Sequence, residues 1–288
     1  MEFTIKAGLP RVPHKKHWQY CVGSPHALMA LRTDYTAQLR FIHDTLGIER
    51  VRFHGIFCDD MRTCNDLSMQ MNIPGAQRFA EYNFNACGLA YDNVLAAGMK
   101  PFVELSFMPS ALASGKKLGL AYDPNITMPK SLDDWSDYIR RFLRFLLDRY
   151  GAEEVESWYF EVWNEPDLGC FFAGTQKDYL KLYEATARAV KSVDERLRVG
   201  GPSTSACKWI PEFLAFCETN KVPCDFVSTH HYPGDAFGNF INLANVKHMF
   251  SSAMSAVKNH TDLSDAMTDM FFLPEDARRW SKGTLASM

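Results

Sequence analysis

The sequence lacks the features that would mark a nucleotide-binding or membrane protein. It contains no G-x-G-x-x-G or Walker-type phosphate loop, so the sequence shows no recognisable binding motif for a nucleotide cofactor. No apolar run approaches the length of a membrane span, and the N-terminus lacks the basic and apolar regions of a secretory signal. We therefore expect a cytoplasmic protein that has no cofactor and no membrane partner.

Cysteine spacing and charge exclude further classes. The eight cysteines form no C-x-x-C pair, which favours reduced thiols over a disulfide framework. The neighbouring histidines at 14 and 17, and at 230 and 231, have no companion ligands at metal-binding spacing, so we expect no metal ion. The net charge is −3, from 31 basic and 34 acidic residues. This mixed, slightly acidic balance argues against a nucleic-acid partner.

What the chain does have is a regular alternation of strand-like and helix-like segments. Of its 288 residues, 47% are hydrophobic and 13% aromatic, which is enough for a sizeable core. The strand-like runs cover 18–24, 50–57, 101–107, 197–202 and 225–233, with a further one that starts at 158. The helical patterns cover about 34–46, 84–97, 132–150, 176–193, 209–219 and 242–258. Six βα units in succession predict one parallel β/α domain.

Two closures of such a domain compete, an open doubly wound sheet and a (β/α)8 barrel. The absent phosphate loop disfavours the open sheet. Polar side chains end several strands, as in barrel enzymes: His54, Ser106, Asn164, Glu165, Ser203, His230 and Tyr232. We predict an α/β fold of the (β/α)8 barrel type, incomplete because about six units are present. Residues 1–17 would form an N-terminal extension, and 18–288 a barrel truncated before strands seven and eight.

The most informative stretch runs from Trp158 to Leu168. It starts as an apolar, aromatic strand and stops at Asn164-Glu165-Pro166, which leaves Glu165 at the strand's carboxyl end. Alternation along a strand would put Glu161, Trp163 and Glu165 on one side. Apolar surroundings there favour a protonated carboxyl group, as a general acid requires. The alternative is an ordinary helix start with acidic residues near its dipole.

Four strand-end motifs together resemble glycoside hydrolase family 39. They are Arg52-Phe-His-Gly55, Glu104-Leu-Ser-Phe-Met-Pro109, Phe160-Glu-Val-Trp-Asn-Glu-Pro166 and Ser228-Thr-His-His-Tyr-Pro233. The agreement extends from Trp18 through Tyr232. That family contains β-xylosidases and α-L-iduronidases, within a larger clan of retaining barrel glycosidases. Asn-Glu-Pro alone is shared across the clan, whereas the four motifs in this order are specific.

The resemblance implies a role for each residue at the strand ends. Glu165 would be the general acid/base of a double displacement, and Asn164 would hydrogen-bond the sugar 2-hydroxyl. His54, His230 and Tyr232 would line the sugar site. As an alternative, these three could be ordinary interior side chains with satisfied hydrogen bonds. From the residues themselves, Glu104 and Glu161 are expected to pair with arginines inside the barrel, because unpaired buried carboxylates are costly.

The family pattern is broken at the nucleophile. A retaining enzyme needs a second carboxylate, which the family carries in a Thr-Glu-Trp-like motif, and no such motif follows Tyr232. Glu275 is an alternative, although Pro274-Glu275-Asp276 fits a helix start better. We expect the sequence to stop before the nucleophile.

Two functional interpretations therefore stay open. The first is a retaining β-xylosidase that cleaves xylosides or xylo-oligosaccharides, a small carbohydrate substrate. The second is a non-catalytic sugar-binding barrel or inactive fragment. A homo-oligomer of the full-length protein is left open as well.

Overall fold

A computed structural model describes residues 16–66, 80–119 and 122–230, together with Ser255. Within them, six parallel strands form one sheet in the order β1-β2-β5-β6-β7-β8, and β3 and β4 form a separate antiparallel pair. The strands are β1 (Val22–His26), β2 (Arg50–His54), β3 (Cys64–Asp66), β4 (Ala80–Tyr82), β5 (Lys100–Leu105), β6 (Tyr159–Val162), β7 (Arg198–Ser205) and β8 (Phe226–His230).

The helices connect these strands and cover the outer face of the sheet. They are α1 (Thr33–Leu46), α2 (Asn85–Ala96), α3 (Leu132–Tyr150), α4 (Ala152–Glu156), α5 (Gln176–Val193) and α6 (Ile210–Asn220). Local signals set several of their ends. Ser131 caps α3 by accepting from the Asp134 N–H at 3.2 Å, and α1 ends at Gly47 in the left-handed conformation. No helix among the described residues is long and apolar enough to cross a membrane.

The sheet is curled rather than flat, and one side chain demonstrates this. Arg52 on β2 lies 3.3 Å from the hydroxyl of Ser203 on β7. These strands are three positions apart in the sheet, which would separate their backbones by about 14 Å if the sheet were flat. The inner face must therefore be concave, as in a barrel wall. The prediction of an incomplete (β/α)8 barrel with six parallel strands is confirmed.

The core between sheet and helices is largely aromatic. The apolar side chains that recur at helical spacing along α3, among them Trp135, Phe142 and Leu146, are buried. Trp135 also donates its indole N–H to Thr186 of α5 at 2.8 Å, so the two longest helices are joined by a buried hydrogen bond. This outer core fixes the strands whose inner ends carry the polar side chains.

Three strand limits differ from the sequence predictions. β1 starts at Val22 and continues through Pro25 to His26, rather than ending at Gly23-Ser24-Pro25, because the register with β2 shifts between Ser24 and His26 and so accommodates the proline. β7 continues past Pro202 to Ser205. β6 ends at Val162, and Trp163 has a φ of 73°, so the predicted alternation of Glu161, Trp163 and Glu165 on one face is wrong beyond Glu161.

Other predictions lie outside the described residues. These are Tyr232 and the end of the sixth strand, the helix at 242–258, and Glu275. The domain limits at residues 1–17 and 18–288 stay predictions.

Candidate active site

Four predicted site residues lie at the carboxyl ends of three strands. His54 is the last residue of β2, and His230 is the last residue of β8. Asn164 and Glu165 follow the end of β6 after one residue, Trp163. Because the sheet is curled, these strand ends face one another across its concave side. Hydrogen bonds, together with the ion pair between Arg52 and Glu104, connect the four side chains into one network through Arg52, Glu104 and Ser203.

Arg52 lies at the centre of this network, almost fully buried. Its Nε donates to Glu161 Oε2 at 2.7 Å, and its Nη2 lies 2.6 Å from Glu104 Oε2. Nη2 also donates to Asn164 Oδ1 at 3.0 Å. The expectation that Glu104 and Glu161 pair with an arginine is met by this single guanidinium. Burial lowers the pKa of Arg52, but the two carboxylates outweigh it and raise the pKa above its usual value.

Glu104 joins Arg52 to the rim at His54. Its carboxylate accepts from the Ser106 hydroxyl and lies 2.7 Å from His54 Nδ1. Burial raises the pKa of Glu104, but Arg52 and His54 together outweigh burial and lower it to about 2. Glu104 is therefore ionised at neutral pH, and it holds the ring of His54 by Nδ1, while Nε2 has no hydrogen-bond partner among the described residues.

Asn164 is oriented by its bond to Arg52. A guanidinium has donors but no acceptor, so the contact at 3.0 Å identifies the carbonyl oxygen of the amide as the end that faces Arg52. The NH2 end of Asn164 is left as a donor on the other side. Sequence alone indicated the residue but could not indicate which end of the amide is free.

Glu165 is held by both its backbone and its side chain. Its N–H donates to the carbonyl of Ser203 at 2.8 Å, and its Oε1 lies 2.9 Å from His230 Nδ1. The residue is 9% exposed and has a φ of 42°. Trp163 and Ser203 also adopt left-handed backbone conformations, at φ 73° and 55°. Three such non-glycine residues in one place indicate a backbone shaped for side-chain placement.

The side chain of Trp163 does not stand on the strand face expected from alternation. Its ring contacts Phe107 and Phe172 at centroid distances of 5.4 and 5.5 Å, and its indole N–H donates to the carbonyl of Phe171 at 2.8 Å. Trp163 thus holds the loop after β6 against the loop after β5. It acts on the position of Glu165 through the backbone.

Asp167 is a site residue that sequence reasoning missed. Its carboxylate accepts from the N–H of Ser205 at 2.8 Å and lies 3.1 Å from Lys208 Nζ. These contacts fasten the segment after Glu165 to the end of β7. The Glu-Pro-Asp sequence was a signal for it, but the partners lie about forty residues away in the chain, at the neighbouring strand.

A second missed group lies beside His54 at the end of β1. His26 is buried, with Nε2 2.6 Å from Asp60 Oδ2 and Nδ1 3.2 Å from the carbonyl of His54. The ring of Tyr122 stacks on it with a centroid distance of 4.4 Å. The side chain of Tyr122 is partly exposed, so the group extends the polar rim beyond β2.

The arrangement can transfer a proton and can form hydrogen bonds with hydroxyl groups such as those of a sugar. It offers one carboxyl group at the rim, an amide donor next to it and two imidazoles, with fixed orientations. In the part of the chain that the structure describes, no group of three or more His, Cys, Asp or Glu side chains is arranged to hold a metal ion.

A family model and two curated relatives match most of this chain. The family model described as glycosyl hydrolases family 39 matches residues 1–274. A beta-xylosidase from Caldicellulosiruptor saccharolyticus is 49% identical over 245 residues, covering 84% of this chain and 49% of the relative. A beta-xylosidase from Geobacillus stearothermophilus is 41% identical over 229 residues, covering 78% and 44%. The chain thus spans about half the length of the curated relatives it matches.

A solved structure shares the fold. The crystal structure of a monomeric beta-xylosidase from Caulobacter crescentus CB15 superposes with a TM-score of 0.77 at 33% identity, over 86% of this chain and 51% of that one. Its match supports the same strand arrangement as the described half-barrel.

Proposed function

This chain belongs to glycosyl hydrolase family 39, and we propose that the protein containing it is a retaining β-xylosidase with Glu165 as its general acid/base. The observation that carries the proposal is the carboxyl group of Glu165 at the strand rim, held through Oε1 by His230. Its other oxygen, Oε2, is then the one directed to substrate. The identity with relatives named beta-xylosidase supports xylosides as the substrate class.

The reaction begins with proton transfer from Glu165 Oε2 to the leaving-group oxygen of the glycoside. A second carboxylate attacks the anomeric carbon, and the covalent glycosyl intermediate is hydrolysed by a water that Glu165 deprotonates. Asn164 donates from its NH2 group to the sugar 2-hydroxyl, a bond that strengthens as the oxocarbenium-like transition state forms. His54 and Tyr232 contact the remaining sugar hydroxyls, whereas both ring nitrogens of His230 already have partners, Glu165 and Ser203, so His230 acts on the substrate through Glu165.

The second carboxylate is proposed to come from outside residues 16–230. Glu104 and Glu161 both lie at the buried guanidinium of Arg52, at 2.6 and 2.7 Å, so neither is free to attack an anomeric carbon. A retaining mechanism requires the nucleophile about 5–5.5 Å from the acid/base. Strong activity of residues 1–288 alone, abolished by Glu275→Ala, would identify Glu275 as that group.

The proposed role of Glu165 is tested by Glu165→Ala in the full-length protein. We expect kcat/KM on a natural xyloside to fall by about 10²–10⁴-fold, since general acid assistance is lost. The loss should be smaller on activated aryl xylosides, whose leaving groups need no proton, and added azide should restore turnover as a glycosyl azide of retained configuration.

The matched control is Glu184→Ala on the outer helix α5. Its exposed pair with Arg188 stabilises the fold only weakly, so activity should be unchanged. A loss below about tenfold for Glu165→Ala would contradict the assignment. Tight xyloside binding without any hydrolysis by the unaltered protein would instead favour a non-catalytic sugar-binding barrel.

A further inference from the structure

Ser203 connects three parts of the site, although no motif marks it. It is fully buried on β7 directly after Pro202, with a left-handed φ of 55°. Its carbonyl accepts from the N–H of Glu165 at 2.8 Å. Its hydroxyl oxygen lies 3.3 Å from Arg52 Nη2 and 3.3 Å from His230 Nε2. The hydroxyl therefore stands between the buried charge and the imidazole that holds Glu165.

The direction of these hydrogen bonds follows from which groups can donate. Arg52 has no acceptor, so it donates to the Ser203 hydroxyl oxygen. The hydroxyl proton then needs an acceptor, because leaving a buried donor unpaired is energetically unfavourable. Among the described residues, the hydrogen-bond partners of this hydroxyl are Arg52 and His230, which leaves His230 Nε2 as the acceptor. A neutral imidazole that accepts at Nε2 carries its proton at Nδ1.

We propose that Ser203 is a positioning residue that holds His230 in the Nδ1-protonated tautomer, so that His230 donates to Glu165 Oε1 and the acid proton of Glu165 is confined to Oε2. This inference rests on the proposed function, because it concerns how the acid/base of that reaction is oriented. It assigns no substrate contact to Ser203.

The consequence for the reaction is a fixed site for the transferred proton. In the first step the Oε2–H bond breaks, the proton goes to the leaving-group oxygen, and the carboxylate charge that remains is stabilised by His230 Nδ1–H. In the second step Oε2 takes a proton from the attacking water while His230 still occupies Oε1. Without the Ser203 hydroxyl, His230 can take the Nε2-protonated tautomer. Its Nδ1 lone pair then faces Oε1, where it repels the carboxylate or draws the acid proton away from the leaving group.

Two variants remove the hydroxyl and keep the backbone contact with Glu165. Ser203→Ala leaves a side chain at a left-handed φ, whereas Ser203→Gly also relieves that conformational restriction. A defect shared by both variants belongs to the hydroxyl and not to folding. Ser228→Ala is the matched control, because Ser228 is a buried serine on the neighbouring strand β8 whose hydroxyl has no partner among the described residues.

The first measurement is the tautomer of His230 in the full-length protein, by NMR of ¹⁵N-histidine-labelled samples with the signal assigned through His230→Gln. We expect a protonated Nδ1 and an unprotonated Nε2 in the unaltered protein. The same is expected in the Ser228→Ala control, in which Ser203 is unchanged. Both Ser203 variants should shift the signal toward the Nε2-protonated form. An Nε2-protonated ring in the unaltered protein, or no change in either Ser203 variant, would overturn the proposal.

The second measurement is kcat/KM on a natural xyloside and on an activated aryl xyloside. Both Ser203 variants should lose about tenfold on the natural substrate, the amount one hydrogen bond typically supplies, and clearly less on the activated one. Equal losses on both substrates would contradict a role in proton placement. A protein without glycosidase activity whose His230 tautomer still responds to Ser203→Ala would overturn the proposed function while supporting the positioning role.

Discussion

The side chains on the inner face of the half-barrel differ between the amino ends of the strands and the positions nearer their carboxyl ends. At the amino ends of the strands, the inner face carries a buried cluster of Cys21, Phe102, Tyr159 and Phe226. Two residues further along β5 and β6, the inner positions are Glu104 and Glu161. Their backbones lie opposite each other in the β5–β6 register. The same strands thus change from an aromatic layer to a charged layer within one period of side-chain alternation.

The difference shows what each layer contributes. The aromatic layer stabilises by burying apolar area, with Phe102 and Phe226 in edge contact at 5.9 Å. The charged layer must offset the desolvation of one guanidinium and two carboxylates, and Glu161 Oε1 is buried with no partner among the described residues. Such a layer is a poor way to gain stability. What it provides is orientation, since Arg52 and Glu104 hold Asn164 and His54 by direct bonds.

The largest effect is expected when the charged layer loses its cation. Arg52→Met leaves Glu104 and Glu161 buried without their common partner, and should lower the free energy of unfolding by about 3–5 kcal/mol. Activity should largely disappear, because Asn164 also loses its anchor. Urea unfolding at pH 7 measures the first effect, and xyloside turnover by the full-length protein measures the second. Arg196→Met is the control: its guanidinium is exposed and pairs with Asp194 and Glu156 near the surface, so the change in stability should be less than about 1 kcal/mol.

The pH dependence of this loss has a defined sign. In the unaltered protein the pKa of Glu104 is lowered from 4.5 to about 2, so its contribution is present above pH 4.5 and is lost as the pH falls through about 2. In Arg52→Met, burial acts without its main opponent and raises the pKa of Glu104. The free energy of unfolding that is lost through Arg52→Met should therefore be smaller at pH 4.5 than at pH 7. A penalty that does not change between these pH values would contradict the buried-carboxylate explanation.

The aromatic layer should behave in the opposite way. Phe102→Ala removes a nearly fully buried ring and should lower the free energy of unfolding by about 3 kcal/mol, through lost area and the cavity left behind. The loss should be the same at pH 7 and pH 4.5, because no ionised group changes its partner. The kcat of the folded protein should stay within about twofold, since the network at the rim is intact. A strongly pH-dependent loss would mean that the two layers are not separable.

The sequence predicted the helices and strands better than the connections within the charged layer. Periodicity located helices such as α3, predicted over 132–150 and observed from Leu132 to Tyr150, because this signal acts between near neighbours. The pairing of Glu104 and Glu161 with arginine followed from the cost of isolated charges. That a single Arg52 serves both carboxylates depends on the curl of the sheet, which no local pattern carries.

The features that the sequence did not predict share one physical origin. The roles of Asp167 and Ser203 arise from contacts with neighbouring strands whose separation in sequence is large. The end of β6 was misjudged because Trp163 is a strand-forming residue placed at a φ of 73°, where tertiary packing against Phe107 overrides its intrinsic preference. Residues near active sites are where such conflicts between local preference and fold are expected.

The smallest effect is expected where the charged layer meets solvent, at His54. Its side chain is 26% exposed, and its Nδ1 is one of several partners of Glu104. His54→Ala should lower the free energy of unfolding at pH 7 by only about 1 kcal/mol, the value of one hydrogen bond, because Arg52 and Ser106 still hold the carboxylate. The pKa of Glu104 should move back toward 4.5, so the total stability lost on acidification from pH 5 to pH 2 should become smaller than in the unaltered protein. His54→Gln keeps a donor for Glu104, so its free energy of unfolding should be close to that of the unaltered protein. Both variants lack the proposed sugar contact of His54, so both should have a higher KM for xyloside than the unaltered protein. A loss in His54→Ala as large as that of Arg52→Met would show that the rim histidine belongs to the buried layer itself, and the division between supporting charge and substrate contact would fail at this residue.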